Sequence, residues 1–173
     1  AHFGLAEDKT TIGLLPGSRN SEIQKLLPEM VEAARIISQK IPGTQYILPL
    51  ADTLEEKTVA GFLSDSGLKV KIVAGHTYDV LACCDLAVVT SGTATLETGL
   101  MGVPMVIVYK VSLFSELIGR MIIRQQHIGL VNILAGKTVA PELIQRDARG
   151  PRIASEALAI LQNREKRRQI IRD

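Results

Sequence analysis

The chain has 173 residues, of which 46% are hydrophobic, and this is enough for one domain with a substantial core. Only 3% of the residues are aromatic, so the core is expected to be aliphatic, and few side chains are available for nucleic-acid bases to stack on. The formal charge of +2 is too small to indicate a nucleic-acid-binding surface.

Strand and helix patterns alternate along the first two thirds of the chain. Apolar, β-branched runs predict strands at residues 11–17 (broken by the last two, Pro16 and Gly17), 44–50, 70–74, 86–89 and 105–109. Helical spacing of apolar residues predicts intervening helices at residues 21–41, 54–64, 77–84 and 93–101. This alternation with short loops is typical of an α/β fold with a doubly wound, mostly parallel, Rossmann-like sheet.

The first helix has recognisable start and stop signals. Ser21 and Gln24 have the spacing of a capping box, and Pro42 with Gly43 predicts the end of the helix. Pro28 lies inside the helical pattern and leaves a carbonyl of the preceding turn without its donor. We therefore expect a kink or a fresh helix start there.

The last third of the chain is less regular. Residues 113–123 have the spacing of an apolar helix, which either packs on the sheet or contacts a partner domain or lipid. Residues 128–134, around Asn132, predict a short final strand or a loop, and residues 141–145 and 151–171 predict two helices. Basic residues at 164–168 and Arg172 predict a solvated face of the last helix or, alternatively, a weak contact with anionic lipid.

Cysteine usage and the absence of a leader pattern favour a cytoplasmic protein. Cys83 and Cys84 are adjacent, so we expect two reduced, buried thiols rather than a disulfide. The sequence does not open on a signal-peptide pattern, and no apolar run approaches the roughly 18 to 20 residues of a membrane span. The chain begins at Ala1 and ends in a basic helix, which suggests a piece of a longer protein.

The most informative stretch is residues 86–110, which read as a strand, a turn, a helix and a returning strand. A helix start after a hydroxyl- and glycine-rich turn presents unpaired N–H groups, so Ser91, Gly92 and Thr93 are candidate phosphate contacts. Glu97, one turn into the helix, suits a ribose diol better than a phosphate. The alternative is an ordinary connection that binds nothing.

A second candidate site follows the first strand. Pro16 and Gly17 turn the chain, so Ser18 and Arg19 fall at the edge of the sheet where ligands of α/β proteins bind. The guanidinium group suits a diphosphate because it donates parallel hydrogen bonds and keeps its charge. Lys110, at the end of the fifth predicted strand, is a further candidate for this cleft. The alternative is that Arg19 is an ordinary surface arginine.

Other patterns predict no site. Residues 135–138 look like the end of a P-loop, but Val131 occupies the position of the required first glycine. The histidines His2, His76 and His127 have no ligands at metal-binding spacing. His76 follows the third strand and could line the cleft, although a solvated loop histidine is the simpler interpretation.

Five motifs, in order, resemble the C-terminal half of the lipid-A-disaccharide synthase family, whose members are glycosyltransferases with two Rossmann-like domains. They are residues 14–19 (LLPGSR), 91–97 (SGTATLE), 102–110 (GVPMVIVYK), 131–136 (VNILAG) and 141–145 (PELIQ). The resemblance covers nearly the whole chain and implies that residues 1–173 form a single UDP-sugar-binding domain.

The resemblance also implies an activity. The family transfers 2,3-diacylglucosamine from UDP-2,3-diacylglucosamine to 2,3-diacylglucosamine 1-phosphate, with release of UDP, at the cytoplasmic side of the bacterial inner membrane. It implies no metal cofactor, so Arg19, the helix start at Thr93 and Lys110 would neutralise the departing diphosphate. It aligns Arg19 and Asn132 with positions important for binding and catalysis, and Glu97 with a ribose-binding carboxylate.

The N-terminal half of the family, with its acceptor site and catalytic aspartate, has no counterpart in this sequence. We therefore expect the chain to bind UDP weakly and to catalyse nothing alone. The alternatives are another UDP-sugar enzyme of the same type, such as the peptidoglycan transferase or a UDP-N-acetylglucosamine 2-epimerase, and a nucleotide-binding module without chemistry.

Overall fold

The computed structural model describes residues 2–64, 66–110 and 127–173, and in these ranges six strands form one parallel sheet. The strands are β1 Thr11–Leu15, β2 Gln45–Leu50, β3 Val70–Ala74, β4 Leu86–Thr90, β5 Met105–Tyr109 and β6 Glu142–Ile144. Their order across the sheet is β3-β2-β1-β4-β5-β6. This arrangement confirms the predicted doubly wound, Rossmann-like fold.

Helices cover both faces of the sheet. They are α1 Asn20–Lys40, α2 Glu56–Ser64, α3 Thr77–Ala82, α4 Thr93–Leu100, α5 Leu130–Ala135, α6 Gly150–Leu161 and α7 Arg164–Arg172. Successive strand residues point to opposite faces, so Leu86 and Val88 join the core under α1, α2 and α6, whereas Ala87 and Val89 join the core under α3, α4 and α5. Because the sheet is buried on both faces, the strands are aliphatic throughout.

The strand order creates a crevice between β1 and β4. From β1 the chain continues to β2 and β3 on one side, and from β4 it continues to β5 and β6 on the other. The connections after β1 and β4 therefore leave in opposite directions, which opens a cleft at the carboxyl edge of the sheet.

The predicted capping box at the start of α1 is wrong by two residues. Arg19 is the N-cap, and the carboxylate of Glu22 accepts hydrogen bonds from the N–H groups of Ser18 (2.9 Å) and Arg19 (3.2 Å). A glutamate at the third helical position satisfies donors that the helix itself leaves unpaired, and a carboxylate is favoured by the helix dipole. Of the two outcomes expected at Pro28, a kink or a fresh start, the fresh start is wrong, because one continuous helix runs from Asn20 to Lys40.

Three predictions for the last third of the chain are wrong. Residues 130–135 form helix α5 instead of a strand or loop, and residues 142–144 form strand β6 instead of a helix. The predicted helix at 151–171 is two helices, because Asn163 caps the start of α7 by accepting a hydrogen bond from the N–H of Lys166 at 2.9 Å. The predicted apolar helix at residues 113–123 lies outside the described residues.

Helix α7 is solvated, as its basic composition predicts, because none of its residues is buried. Arg167 is tied to the sheet by a 2.9 Å hydrogen bond to Asp85. Within the described ranges no helix is long and apolar enough to cross a membrane.

The two cysteines are free, as expected, but both are partly buried rather than fully buried. The thiol of Cys84 donates to the carbonyl of Val80 at 3.1 Å. Burial, with smaller effects from Cys83 and Asp85, raises the pKa of Cys84 to about 12.

This shift predicts a loss of stability at alkaline pH. The folded protein keeps the Cys84 proton up to a pKa of about 12, whereas the unfolded chain releases it near 9.0, so rising pH favours unfolding between these values. The slope from this one group reaches about 1.4 kcal/mol per pH unit. Urea denaturation between pH 9 and pH 10.5 should show a shallower decline for Cys84→Ala than for the parent. Equal slopes would contradict the assignment, and Val131→Ala controls for lost volume.

Candidate functional site

A pocket of about 330 Å³ occupies the cleft between β1 and β4. Its walls are the β1–α1 and β4–α4 turns, the first turns of α1, α3 and α4, and the ends of β1, β2 and β4. The lining residues are Leu15, Gly17, Ser18, Arg19, Glu22, Pro49, Ala51, Thr77, Thr90, Ser91, Gly92, Thr93, Ala94 and Glu97. Of the eight candidate residues from the sequence, the pocket brings together Ser18, Arg19, Ser91, Gly92, Thr93 and Glu97. Lys110 and Asn132 lie elsewhere.

The start of α4 has no capping side chain among the described residues. Gly92 is the N-cap in extended conformation, and its carbonyl accepts bonds from the N–H (3.1 Å) and hydroxyl (2.8 Å) of Thr95. The first N–H groups of a helix have no partners within the helix and carry a partial positive charge. The exposed Gly92 and Thr93 therefore offer an anion a ready binding position.

The start of α1, across the pocket, is already occupied by a carboxylate. Glu22 lies against Gly17, where a Cβ atom would come within 2.1 Å of Glu22 Oε2 and where the backbone has a positive φ of 107°. Only glycine tolerates both the conformation and the contact. Glu22 therefore fills the position that an anion would otherwise take on α1.

Arg19 extends from this turn with its side chain 78% exposed. Its Nη1 donates to Oε1 of Glu22 at 3.0 Å, which leaves the other guanidinium donors available to a ligand. The neighbouring Ser18 is held by its backbone, because its carbonyl accepts from the hydroxyl of Thr53 at 2.6 Å. Sequence reasoning missed Glu22, although its position three residues after Arg19 has capping-box spacing.

Thr90 is a pocket residue that sequence reasoning did not assign. Its side chain is 4% exposed, and its hydroxyl has no hydrogen-bond partner among the residues that the structure describes. Buried hydroxyls are normally paired with protein, water or ligand. Thr90 lines the pocket, and its hydroxyl oxygen is enclosed by the surrounding protein.

Glu97 lines the pocket from the first turns of α4 and contacts an exposed tyrosine. Tyr78 donates its hydroxyl to Glu97 Oε1 at 3.2 Å and is 57% exposed. The hydrogen bond to Glu97 and its negative charge both raise the pKa of Tyr78. The bond orients one carboxylate oxygen, and within the described ranges the second oxygen of Glu97 has no hydrogen-bond donor. Tyr78 was not identified from the sequence, because the contact joins residues on two different helices.

Ser91 is held on both sides. Its N–H donates to the carbonyl of Val108 on β5, and its hydroxyl donates to the carbonyl of Ile128, each at 2.9 Å. The hydroxyl proton is therefore used within the protein. What Ser91 contributes to the pocket is the position of the turn.

The structure separates Lys110 from this pocket. Its ammonium group is paired with Glu29 at 2.5 Å and lies in a second cavity, of about 1020 Å³, at the ends of β5 and β6. The other oxygen of Glu29 accepts from the N–H of Gly150 at the start of α6, at 2.9 Å. Lys110 thus neutralises a carboxylate that caps a helix.

Asn132 is fully buried on α5, with every amide atom bonded inside the protein. Its Oδ1 accepts from the N–H groups of Val139 (2.8 Å) and Ala140 (2.9 Å). Its Nδ2 donates to the carbonyl of Ala140 and to Oε1 of Glu142, both at 2.7 Å. These four bonds use the complete donor and acceptor capacity of the side chain.

The remaining patterns behave as solvated or structural features. His76 precedes α3, is 59% exposed and contacts Asp79 at 3.1 Å, while its neighbour Thr77 lines the pocket. Gly136 ends α5 in the left-handed conformation, so residues 135–138 close a helix and do not form a phosphate loop. Within the three described ranges, no group of three or more histidine, cysteine or acidic side chains is arranged to hold a metal ion.

Comparison with solved structures shows the same fold. A UDP-GlcNAc 2-epimerase from Neisseria meningitidis, solved bound to UDP-GlcNAc, superposes with a TM-score of 0.64 over 96% of this chain and 40% of its own. The two sequences are 12% identical, so the likeness concerns architecture alone.

Comparison with known sequences goes further. A lipid-A-disaccharide synthase of Syntrophus aciditrophicus is 54% identical over 97% of this chain, and one of Nitrosococcus oceani is 50% identical over 95%. The chain spans 44% and 43% of the length of these relatives, less than half of each. The family model described as Lipid-A-disaccharide synthetase matches residues 1–173. The chain therefore belongs to the lipid-A-disaccharide synthetase family.

Proposed function

We propose that residues 1–173 form the domain that binds the UDP-sugar donor of a lipid A glycosyltransferase. The observation that carries the proposal is the uncapped start of α4, which shares one pocket with the guanidinium of Arg19 and the carboxylate of Glu97. These three groups suit three parts of a nucleoside diphosphate: its two phosphates and its ribose diol.

In this proposal the diphosphate lies against the N–H groups of Gly92 and Thr93, and Arg19 reaches it from the opposite wall. The helix start and the guanidinium supply positive charge where the departing UDP develops negative charge. We do not include Lys110 among the diphosphate ligands, because it lines a different cavity from the start of α4.

The donor that we propose is UDP-2,3-diacylglucosamine and the acceptor is 2,3-diacylglucosamine 1-phosphate, joined with release of UDP. The names of the relatives support this reaction. The acceptor site and the catalytic base would lie in an N-terminal domain, since the relatives are more than twice as long as the matched region. The chain alone should bind UDP and transfer no sugar. Since both substrates carry acyl chains, we propose that the complete protein acts in the cytoplasm at the inner-membrane surface.

Calorimetric titration of the chain with UDP, UMP, uridine and ADP tests the binding step. UDP should bind more tightly than UMP and much more tightly than uridine, because the α4 start and Arg19 act on the phosphates. ADP controls for recognition of the base. Absence of UDP binding would remove the basis of the proposal, and equal binding of UDP and uridine would show that the phosphates are not recognised here.

The role of Glu97 gives a separate prediction. If its carboxylate accepts from the ribose hydroxyls, Glu97→Gln should weaken UDP binding roughly tenfold, as expected for losing a charge-assisted hydrogen bond. Binding of 2′,3′-dideoxy-UDP should be nearly the same for both proteins, because it lacks the hydroxyls. Tyr78→Phe serves as a control, since it removes the 3.2 Å contact and keeps the carboxylate. An equal loss with both ligands would mean that Glu97 supports α4 instead.

A further inference from the structure

The turn that precedes α4 is fastened to a loop from a distant part of the chain. Ser91 lines the pocket, and its hydroxyl donates to the carbonyl of Ile128 at 2.9 Å. Thirty-seven positions separate these residues in the sequence. Whatever fixes Ile128 therefore also helps to fix the turn that presents the N–H groups of Gly92 and Thr93.

One carboxylate fixes that loop. Glu142 accepts from the N–H of Ile128 at Oε2 (2.9 Å) and from the N–H of Gly129 at Oε1 (3.0 Å). Oε1 also accepts from Nδ2 of Asn132 at 2.7 Å. Three N–H donors thus converge on a single side chain, and hydrogen bonds to a charged acceptor are stronger than those between neutral groups.

The position of Glu142 itself is set by the sheet. It is the first residue of β6 and lies in register with Ile107 of β5. The loop can approach because residue 129 is glycine: a Cβ atom there would lie 2.5 Å from Cδ1 of Ile107 and 3.2 Å from Oε1 of Glu142. The contact is therefore a close one between the loop backbone and a rigid strand.

We propose that Glu142 is a positioning residue for the nucleotide pocket, acting through Ile128 and Ser91 on the start of α4. The inference rests on the proposed function of that pocket. Glu142 does not need to touch the ligand; it holds residues 128–129, and these hold the hydroxyl of Ser91. The buried Asn132 belongs to the same network, because its Nδ2 donates to Oε1 of Glu142.

A carboxylate is required at position 142 because only acceptors can meet three donors. Glutamine has nearly the same shape, but one of its two ends is an NH₂ group. In Glu142→Gln that group would face either Ile128 N–H or the pair formed by Gly129 and Asn132. At least one N–H then loses its acceptor, and the loop moves away.

The test measures UDP affinity and amide hydrogen exchange in the parent, in Glu142→Gln, in Ser91→Ala and in the double variant. We expect roughly tenfold weaker UDP binding for Glu142→Gln, the scale of a lost hydrogen bond to a charged group. Exchange within residues 91–95 should be faster at Ser91 and Thr95, whose N–H groups are hydrogen-bonded. The double variant should bind UDP no more weakly than the single variant with the lower affinity, because Glu142→Gln and Ser91→Ala interrupt the same series of contacts. Glu156→Gln is the matched control. Glu156 is also half-buried, lies 3.6 Å from Lys166, and should change neither measurement.

The outcomes separate the two proposals. A parent that does not bind UDP overturns the proposed function, while exchange at residues 91–95 still decides the positioning role. Unchanged exchange in Glu142→Gln overturns that role, and so does weaker binding without faster exchange, because Glu142 would then act by another route. If Glu142→Gln does not fold, Gly129→Ala takes its place, since the added methyl group presses on the same contacts. Faster exchange at residues 91–95 in that variant supports the role, and unchanged exchange overturns it.

Discussion

Replacing Asn132 with alanine should lower the free energy of unfolding by about 3 to 5 kcal/mol. The side chain is 0% exposed and makes four hydrogen bonds. Its removal leaves the N–H groups of Val139 and Ala140, the carbonyl of Ala140 and one carboxylate contact of Glu142 without their partner. Each buried polar group that loses its partner costs about 1 to 3 kcal/mol, and relaxation of the loop recovers part of the total.

Urea denaturation of Asn132→Ala and of the parent measures this loss. Asn163→Ala is the control, because its side chain makes one capping bond to the N–H of Lys166, and removing a cap costs about 1 kcal/mol. If Asn132→Ala were no worse than this control, the four bonds would not be holding residues 139–142. The resemblance aligned Asn132 with positions important for binding and catalysis, whereas among the described residues its contacts lead to the pocket through Glu142 and the loop.

Arg19→Ala should weaken UDP binding by about 1.5 to 3 kcal/mol, the usual contribution of hydrogen bonds to a charged group. Arg19 lines the pocket opposite the start of α4, and its guanidinium has donors beyond the one that contacts Glu22. The UDP affinity of Arg19→Lys should lie between those of the parent and Arg19→Ala, because lysine keeps the charge and loses the planar pair of donors.

Calorimetry with UDP and uridine distinguishes a phosphate contact from a general disturbance. Uridine has no phosphates, so Arg19→Ala and the parent should bind it alike. Arg35→Ala, on the exposed side of the same helix α1, should leave both affinities unchanged. Equal UDP affinity in Arg19→Ala and the parent would contradict the phosphate contact and would mean that Arg19 is an ordinary surface arginine.

The strands of the sheet were predictable because a buried strand is a local run of aliphatic residues, which the sequence shows directly. β1, β4 and β5 are short aliphatic runs bounded by turn residues, and they lie within one residue or two of the predicted positions. Strand β6 was not predictable in this way. It has three residues, and its identity depends on pairing with β5, which no local pattern records.

The prediction of where α1 starts was wrong for a related reason. Ser21 with Gln24 and Arg19 with Glu22 are overlapping pairs with the same spacing, and serine is the better cap by intrinsic preference. The choice is decided by Gly17, whose positive φ and missing side chain make room for the carboxylate of Glu22. This is a tertiary fit that propensity does not report.

The pocket was predictable to the extent that its residues follow strands. Ser18, Arg19, Ser91, Gly92 and Thr93 immediately follow β1 or β4, and parallel strands bring their carboxyl ends to one edge. Lys110 also follows a strand, yet it is paired with Glu29, 81 positions earlier in the chain. Tyr78 was missed because its place at the site depends on a hydrogen bond to Glu97 on another helix. Thr90 was missed because its hydroxyl is notable for having no partner among the described residues. Neither property can be seen in the sequence.

The starts of α1 and α4 differ in charge, so the two walls of the pocket are electrostatically different. One wall carries the fixed negative charge of Glu22, and the facing wall carries the uncapped N–H groups of α4. Arg19 on the first wall is paired with Glu22 at 3.0 Å, so that wall is close to neutral, whereas the start of α4 carries a partial positive charge. The charged end of a ligand is therefore attracted to the α4 side of the cleft. In the proposed arrangement the charged end is formed by the phosphates, which lie at the start of α4, while Glu97 lies one turn further along the same helix. The pocket therefore favours one orientation of such a ligand before any contact with a base is made.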